Sequence, residues 1–411
     1  MIGNNLLHRT TTRRRLLSGA GAGGLALISS SATAQTMIKL PLPGGPDERP
    51  IATDFPQKGP MILQRSRPPL LETPREVFDE GTITPNDKFY VRWHWAVIPT
   101  QIDVEKFRLA VRGHVNQGLS LSLQDILSLP RTEIVAVNQC SGNSRGLFTP
   151  PVPGAQWVHG AMGNARWTGV RLKDVLSRAG LKAGAVAVRL KGLDEPVVDG
   201  APHFMKSLDI DHATDGGVMI AYQMNGEQLP LLNGFPIRLI VPGWYSTYWV
   251  KMLSDIEVLD APDDNYWMAT AYRIPDTPRA SVKPDETGFK TVPINRMVPR
   301  SFVTNLRDGD KVGRGAPVPV RGIAFGGDCG VKGLDVSIDG GTNWSAAELG
   351  SDEGAYSFRQ WQTQVTAPAS GDLSLMARCT NTAGVSQPLE PNWNPNGFMR
   401  NVIEKLRLTV G

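Results

Sequence analysis

The sequence predicts an α+β fold with a mixed sheet, followed by a β-sandwich of the immunoglobulin type. Between residues 89 and 260, apolar strand-like runs and short helical patterns intermingle without a regular strand–helix alternation. Beyond residue 300 only short strand-like runs remain, and glycine-containing turns separate them. A length of 411 residues suits about two or three domains of ordinary size.

The first 34 residues predict an export signal. Arginines 13–15 precede Leu16-Leu17 and an uncharged stretch rich in glycine and alanine, and Ala32-Thr33-Ala34 offers a cleavage site. The pattern is typical of a twin-arginine signal, and an ordinary secretory signal is the alternative. Because the apolar stretch is shorter than the roughly 20 residues that span a bilayer, we expect export to the periplasm without a membrane anchor.

Charge excludes one class of partner. Four of the 43 basic residues lie in the signal segment, which has no acid, so the rest of the chain balances 39 basic against 39 acidic residues. A neutral chain lacks the excess of positive charge that nucleic-acid binding requires. We therefore expect no nucleic-acid partner.

The predicted first domain covers residues 35–285. Its first part, 35–75, is rich in proline with little periodicity, which predicts an extended arm over the surface. Strands are predicted at 107–111, 134–137, 186–190, 218–222 and 237–241, and helices at 122–129 and 172–176. Neither a G-x-G-x-x-G motif nor a P-loop occurs, which excludes a dinucleotide-binding fold.

The predicted second domain, the β-sandwich, covers residues 286–411 after a strand-poor stretch between 262 and 300. Its strands are predicted at 318–325, 334–338, 343–348, 357–365 and 373–381. Asp339-Gly340-Gly341 predicts a hairpin turn, and Trp344 and Trp361 are predicted core residues.

The three cysteines, Cys140, Cys329 and Cys379, allow at most one disulfide, so the chain is no disulfide scaffold. A pairing of Cys329 with Cys379 stays open. Because the sequence has no C-x-x-C-H motif, we expect no covalently bound haem in this chain.

Cys140 is the first candidate for chemistry, because it follows the apolar run 133–138 and opens the loop Cys140-Ser-Gly-Asn-Ser-Arg145. Arg145, if it lies near in space, would lower the pKa of the thiol and favour a thiolate. A thiolate is a nucleophile or a soft-metal ligand. The alternative is a buried structural cysteine.

A second candidate is the strand 89–95, in which alternate side chains share a face. The alternation places Tyr90, Arg92 and His94 on one face, and Val91, Trp93 and Trp95 in the core. Neighbouring donors suit an oxyanion or a phosphate, and a solvated strand face is the alternative.

Three further patterns are weaker. Trp157, with Trp167 and several glycines, marks shaped loops for which a structural role is favoured. Arg238 and Lys251 suit an anionic cofactor or surface ion pairs. Tyr272 lies in the strand-poor stretch, where packing is the ordinary role.

In combination and in this order, the motifs resemble the sulfite oxidase family of molybdenum cofactor enzymes over nearly all of the chain after the signal. They are Tyr90-Val-Arg92-Trp-His94, Cys140-Ser-Gly-Asn-Ser-Arg145, Gly163-Asn-Ala-Arg-Trp-Thr-Gly169, Ala221-Tyr-Gln-Met-Asn-Gly-Glu-Gln-Leu-Pro230, Gly234-Phe-Pro-Ile-Arg238 and Pro391-Asn-Trp-Asn394. Within this family, the predicted export signal and the lack of a haem domain make the chain most similar to the molybdenum subunits of bacterial periplasmic sulfite:cytochrome c dehydrogenases.

The resemblance implies oxidation of sulfite to sulfate at one molybdenum–molybdopterin cofactor per chain, with electrons passed singly to a c-type cytochrome. It implies Cys140 as the protein ligand of molybdenum. The implied substrate-pocket residues are Arg92, Tyr272, Trp157 and Arg145. The implied cofactor-binding residues are Tyr90, Val91, Arg92, Trp93, His94, Ser141, Asp194, Asn233, Arg238, Trp249, Val250 and Lys251. The implied assembly is a homodimer through the sandwich or a heterodimer with a cytochrome subunit.

The sequence departs from vertebrate members of the family at three places. Asn233 replaces a histidine, Asn396 replaces an arginine, and residues 246–248 replace Gly-Ala-Arg. We therefore expect a less positive pocket, and a sulfite affinity that depends less on salt than in those enzymes. The alternatives are a sulfoxide or nitrate reductase of the same fold, or a cofactor-free periplasmic binding protein.

Overall fold

Residues 35–411 are described by the structure, a computed structural model. The predicted export signal lies outside the described residues. Within 35–411, no helix is both long and apolar enough to cross a bilayer.

The extended arm predicted for residues 35–75 is instead most of an antiparallel sheet. Its strands are β1 (Met37–Lys39), β2 (Glu48–Ala52), β3 (Met61–Arg65), β4 (Leu70–Glu72) and β5 (Val91–Arg92), paired in that order. Most of the prolines that suggested an arm lie in the connections between these strands. The strands β1–β4 have three to five residues, too few to show a period of two, which is why the sequence missed them.

Two more sheets and five short helices complete the first domain. The strands are β6 (Leu109–Gly113), β7 (Leu119–Leu121), β8 (Arg131–Gln139), β9 (Met162–Arg171), β10 (Ala187–Gly192), β11 (Met205–Asp209), β12 (Met219–Met224), β13 (Glu227–Gln228), β14 (Arg238–Ile240) and β15 (Leu253–Leu259). One sheet has the order β11-β10-β15-β6-β7, and the parallel pair β15–β6 makes it mixed, as predicted. The other has the order β13-β12-β9-β8, with β14 beside β12.

The helices are α1 (Val77–Glu80), α2 (Leu123–Leu127), α3 (Leu172–Ala179), α4 (Ile210–Thr214) and α5 (Tyr266–Ala269). The predicted helices are α2 and α3. Ser122 caps α2, because its hydroxyl accepts from the Asp125 amide while the Asp125 carboxylate accepts from the Ser122 amide. Leu172, Val175 and Leu176 bury one face of α3 against the first-domain core.

The strand-poor stretch between the domains still contains a short pair of strands, β16 (Arg273–Pro275) and β17 (Thr291–Pro293). One apolar cluster crosses this stretch, joining Phe78 and Val137 of the first domain to Phe302 and Phe325 of the second. Residues 36–411 consequently form one unit rather than two separate bodies.

The second domain is a two-sheet sandwich, as predicted. Its strands are β18 (Arg300–Val303), β19 (Lys311–Val312), β20 (Pro317–Phe325), β21 (Val331–Ser337), β22 (Ser345–Ala346), β23 (Glu348–Leu349), β24 (Arg359–Thr366), β25 (Leu373–Asn381) and β26 (Lys405–Val410). The sheet orders are β18-β20-β24-β23 and β19-β26-β25-β21-β22. Side chains from both sheets share one apolar core.

Three predictions for the sandwich have different outcomes. The predicted hairpin turn joins β21 to β22, with Gly340 and Gly341 at φ of 75° and 95°. Trp361 is buried as predicted, but the prediction for Trp344 was wrong, because its ring is only half-buried and lies against the Arg378 guanidinium. The disulfide left open does not form: Cys329 and Cys379 are both free thiols.

Candidate active site

Cys140 begins the loop that follows β8, and the neighbouring backbone fixes its position. The Cys140 amide donates to the Ala161 carbonyl at 2.9 Å. Asn143 ties the loop to the segment before β9, since its side chain donates to the His159 carbonyl at 3.0 Å and accepts from the Ala161 amide at 3.1 Å. The thiol is 6% exposed and lies where an inner cleft meets an outer cavity.

The inner cleft is narrow, about 30 Å³. It is lined by Tyr90, Arg92, His94, Asn138, Cys140, Ser141, Phe204, Leu232, Asn233, Arg238, Ser246, Thr247, Trp249, Lys251 and Tyr272. The outer cavity holds about 710 Å³. Arg92, Cys140, Ser141 and Tyr272 line both, so the two spaces adjoin at these residues.

The alternation predicted for the strand 89–95 holds from Tyr90 to His94. Tyr90, Arg92 and His94 line the inner cleft, whereas Val91 and Trp93 pack into an apolar cluster beneath it. The prediction for Trp95 was wrong: the strand ends at Arg92, and the Trp95 ring is half-buried against Trp267.

The far end of the inner cleft concentrates cationic groups. The Arg238 guanidinium donates to the Asn233 carbonyl at 2.8 Å and lies 5.1 Å from the Trp167 ring centre. The Lys251 ammonium lies 4.4 Å above the Trp93 ring. Burial, with Arg238 nearby, lowers the pKa of Lys251 to about 7, and Asp194 partly opposes this shift. A bound anion would stabilise the charged forms of these groups.

His94 lies in the same cationic surroundings. Burial, reinforced by the charges of Arg92, Lys251 and Lys206, holds the pKa of His94 well below its usual value. Its Nε2 atom lies 2.5 Å from the Tyr272 hydroxyl, and its ring stacks on Phe204 with centres 3.5 Å apart. His94 is therefore neutral and fixed in orientation.

Six side chains of the inner cleft carry a buried polar atom that has no hydrogen-bond partner within residues 35–411. The atoms are Arg92 Nη1, Asn138 Nδ2, Ser141 Oγ, Asn233 Oδ1, Arg238 Nε and Thr247 Oγ1. Because the great majority of buried polar groups in folded proteins are paired, this concentration offers hydrogen bonds to a polar ligand.

The outer cavity contains the remaining predicted pocket residues. Arg145 donates to the Asn396 carbonyl at 3.0 Å, and its guanidinium lies 5.3 Å from the Phe398 ring centre. Trp157 is buried in the wall. The Tyr272 ring stacks on Phe398, and burial raises the pKa of its phenol. The structure thus brings Arg92, Arg145, Trp157 and Tyr272 to one space beside Cys140.

Four of the predicted cofactor-binding residues do not line either space. Val91, Trp93 and Val250 place their side chains in apolar clusters behind the cleft. Asp194 is buried near Lys251 and acts on the cleft through that ammonium. These positions support the lining residues rather than face a ligand.

Several lining residues were missed by the sequence analysis. They are Phe204 and Leu232 in the inner cleft, and Arg49, Arg65 and Phe398 in the outer cavity. Ser246 and Thr247, noted in the sequence as departures from vertebrate members, also line the inner cleft. Arg49 and Arg65 come from the sheet that the sequence presented as an arm, so no local signal marked them.

Comparisons with known proteins agree with this geometry. Two family models match the chain: the oxidoreductase molybdopterin binding domain over residues 95–267, and the Mo-co oxidoreductase dimerisation domain over residues 291–410. The chain is 35% identical over 374 residues to the mitochondrial sulfite oxidase of Homo sapiens, which covers 87% of this chain and 67% of that protein. The chain belongs to the sulfite oxidase family.

Two other proteins similar to this chain extend the comparison. Sulfite oxidase of Gallus gallus is 33% identical over 374 residues, covering 87% of this chain and 80% of that protein. The sulfane dehydrogenase SoxCD from Paracoccus pantotrophus has a similar structure, with a TM-score of 0.70 and 25% identity over 83% of this chain and 84% of that one. The predicted fold class and the predicted molybdenum–molybdopterin cofactor are confirmed.

The residues present fit this cofactor. Cys140 is the one cysteine that lines the described cleft and cavity, and a thiolate is a suitable ligand for a soft, redox-active metal. The unpaired polar atoms of the inner cleft would bind the polar pterin, and Arg238 and Lys251 would bind its phosphate.

Proposed function

We propose that this sulfite oxidase family member oxidises sulfite to sulfate and passes the electrons singly to a c-type cytochrome in the periplasm. The reaction takes up one water and releases two electrons and two protons. The observation that carries it is the placement of Cys140: one thiol at the junction between a polar inner cleft and an arginine-lined outer cavity. The names of the vertebrate relatives support sulfite as the substrate.

When bound, the cofactor would supply the two-electron oxidation. The protein would bind the substrate through Arg92, whose buried Nη1 atom has no partner within residues 35–411, and orient it toward Cys140. The Tyr272 hydroxyl, held 2.5 Å from His94, would donate a hydrogen bond to a substrate oxygen. Because burial raises the pKa of this phenol, it keeps its proton at neutral pH.

The experiment follows haem reduction after sulfite is added to the purified, molybdenum-loaded protein and cytochrome c. We expect sulfite-dependent reduction of the haem, and no oxidation of reduced methyl viologen, a one-electron donor, when nitrate or dimethyl sulfoxide is supplied as the oxidant. A parallel assay with ferricyanide, a one-electron acceptor of no structural specificity, separates the substrate from the acceptor. No sulfite-dependent reduction of either acceptor, at about one molybdenum per chain, would contradict the proposal. Reduction of ferricyanide alone would contradict only the cytochrome.

The periplasmic setting rests on the arginines at 13–15 and the cleavage pattern before Gln35. Replacing all three arginines by lysine keeps the charge and removes the twin-arginine signature. We expect sulfite oxidation to move from the periplasmic to the cytoplasmic fraction. Unchanged export would point to an ordinary secretory signal.

The match to a domain named for dimerisation supports a homodimer of this chain. Light scattering of the purified chain, alone and with a c-type cytochrome, distinguishes the homodimer from a heterodimer with a cytochrome subunit.

A further inference from the structure

The N-terminal sheet places an arginine row beside the candidate active site. In the register of this sheet, Arg65 of β3 lies opposite Leu70 of β4, and Leu70 lies opposite Arg92 of β5. Residues opposite one another on neighbouring strands share a face of the sheet. All three residues line the outer cavity, so Arg65 lies two strands, roughly 10 Å, outward from Arg92.

A hydrogen-bonded chain holds this sheet against the Cys140 side of the cavity. Arg49 of β2 donates to Gln64 at 3.2 Å, and Gln64 donates to the Glu72 carboxylate at 2.7 Å. Glu72 also accepts from the amides of Val158 and Gly160, each at 2.9 Å. Both oxygens of the Glu72 carboxylate therefore already accept hydrogen bonds within this buried network.

Arg65 and Arg92 differ from the other two arginines of the cavity. The guanidinium groups of Arg49 and Arg145 donate to backbone carbonyls. Arg65 makes no hydrogen bond or ion pair with any residue of 35–411, and it extends from the exposed end of β3. Partial burial, together with the charge of Arg92, lowers the pKa of Arg65.

No carboxylate lines the outer cavity within the described chain, although four arginines do: Arg49, Arg65, Arg92 and Arg145. A concave space with one sign of charge concentrates ions of the opposite sign and speeds their capture. An unpaired guanidinium at the outer end of such a space is suited to bind an oxyanion.

We propose that Arg65 is an outer anion-binding residue that captures the oxyanion substrate at the cavity mouth and delivers it inward to Arg92. That the anion is sulfite rests on the proposed function. Asn396 lines the same cavity, so the positive charge that the sequence lacks at this position is supplied by Arg65 from another part of the chain. If Arg65 supplies this charge, kcat/KM for sulfite should decline steeply with ionic strength, in contrast to the weaker salt dependence that the sequence predicts.

Steady-state kinetics with sulfite tests this role. Arg65→Gln removes the charge and keeps a polar side chain, Arg65→Lys keeps the charge, and Arg67→Gln is the matched control, because Arg67 is exposed and lines neither space. We expect Arg65→Gln to raise KM about tenfold with kcat within about twofold, and to flatten the decline of kcat/KM with ionic strength. Arg65→Lys should recover most of the wild-type KM, and Arg67→Gln should behave as wild type.

Binding of sulfate, measured by calorimetry on the molybdenum-loaded protein, gives a readout that needs no turnover. We expect Arg65→Gln to weaken sulfate binding about tenfold at unchanged molybdenum content. Unchanged sulfate binding and unchanged KM in Arg65→Gln would overturn the role of Arg65 and leave sulfite oxidation intact. Arg65-dependent sulfate binding in a protein that does not oxidise sulfite would contradict the proposed function and support the anion site.

Discussion

Each of the two domains buries one cysteine, and the surroundings of the two thiols are opposite. Cys140 lies between a polar cleft and an arginine-lined cavity, with Arg92 and Lys251 among its neighbours. Cys379 lies in β25 inside the apolar core of the sandwich, where burial raises the pKa of its thiol to about 12. The two cysteines are almost equally buried, since Cys140 is 6% and Cys379 0% exposed. The side chains around each thiol, and not its depth, therefore distinguish the candidate metal ligand from the packing residue.

The same contrast extends to the residues around each cysteine. Unpaired buried polar atoms cluster around the inner cleft, whereas the sandwich core is formed by aliphatic side chains and Trp361. Unpaired polar groups reduce stability unless a ligand pairs with them. The first domain therefore gives up some stability to hold a binding site, and the second domain is built for packing.

Serine replacements at the two cysteines test this contrast most strongly. We expect Cys140→Ser to reduce sulfite-dependent turnover more than about 100-fold, because loss of a ligand should cost more than loss of a residue that only orients one. We expect Cys379→Ser to leave turnover per folded molecule unchanged and to cost about 1–3 kcal/mol of stability, because it buries a hydroxyl in an apolar core.

The two measurements are haem reduction per mole of folded protein and the urea midpoint of unfolding. Turnover retained by Cys140→Ser would contradict its assignment as the ligand. A loss of turnover in Cys379→Ser without unfolding would show that the sandwich contributes to catalysis.

Two tryptophans sharpen the comparison within the sandwich itself. Trp361 fills the core, and its indole donates to the Ser301 hydroxyl at 3.1 Å, so Trp361→Ala should cost about 3–5 kcal/mol. Trp344 instead lies under the Arg378 guanidinium, 4.2 Å from the ring centre, so Trp344→Ala should cost about 1 kcal/mol. Equal shifts of the urea midpoint in the two variants would contradict this assignment of core and surface.

The fold was predicted from the sequence where strands are long and buried. The prediction for β25 has the same ends as the strand, and that for β20 starts one residue late, since nine-residue strands carry enough apolar positions to stand out. The β1–β4 strands were missed, because three to five residues with proline-rich connections show no period. Trp344 was misassigned because it lies in the connection before β22, and hydrophobicity alone does not tell whether a residue of a connection is buried.

The sequence predicted those parts of the candidate active site whose residues form a local motif. Alternation placed Tyr90, Arg92 and His94 on one face, and the resemblance to the family supplied the role of Cys140. Arg65 could not be found this way. Its place beside Arg92 depends on the pairing of β3, β4 and β5, which is a property of the folded sheet and not of any local motif.

The pH dependence of stability gives the smallest effect, and the two domains should contribute to it with opposite signs. In the first domain, Lys58 donates to the carbonyls of Asn86 and Phe89, and burial lowers its pKa from 10.5 to about 7. Between pH 7 and 10 the unfolded chain holds a proton at Lys58 that the folded chain has lost, so this group adds stability as pH rises. In the second domain, the Cys379 thiol keeps its proton in the folded state up to about pH 12 and loses it near pH 9 when unfolded, so this group removes stability above pH 9.

Variants at the two positions separate these contributions. We expect Lys58→Met to reduce the gain in unfolding free energy between pH 7 and 9 by about 1 kcal/mol per pH unit, and Cys379→Ala to reduce the loss between pH 9 and 10 by a similar amount. Urea midpoints across this pH range measure both, and Cys329→Ala is the matched control for the second, because Cys329 is partly exposed. If Lys58→Met followed the wild-type slope, the buried lysine would hold its proton in both states. Lys58 would then add no stability to the first domain as pH rises, and the Cys379 thiol would be the one group of this pair that makes the unfolding free energy depend on pH.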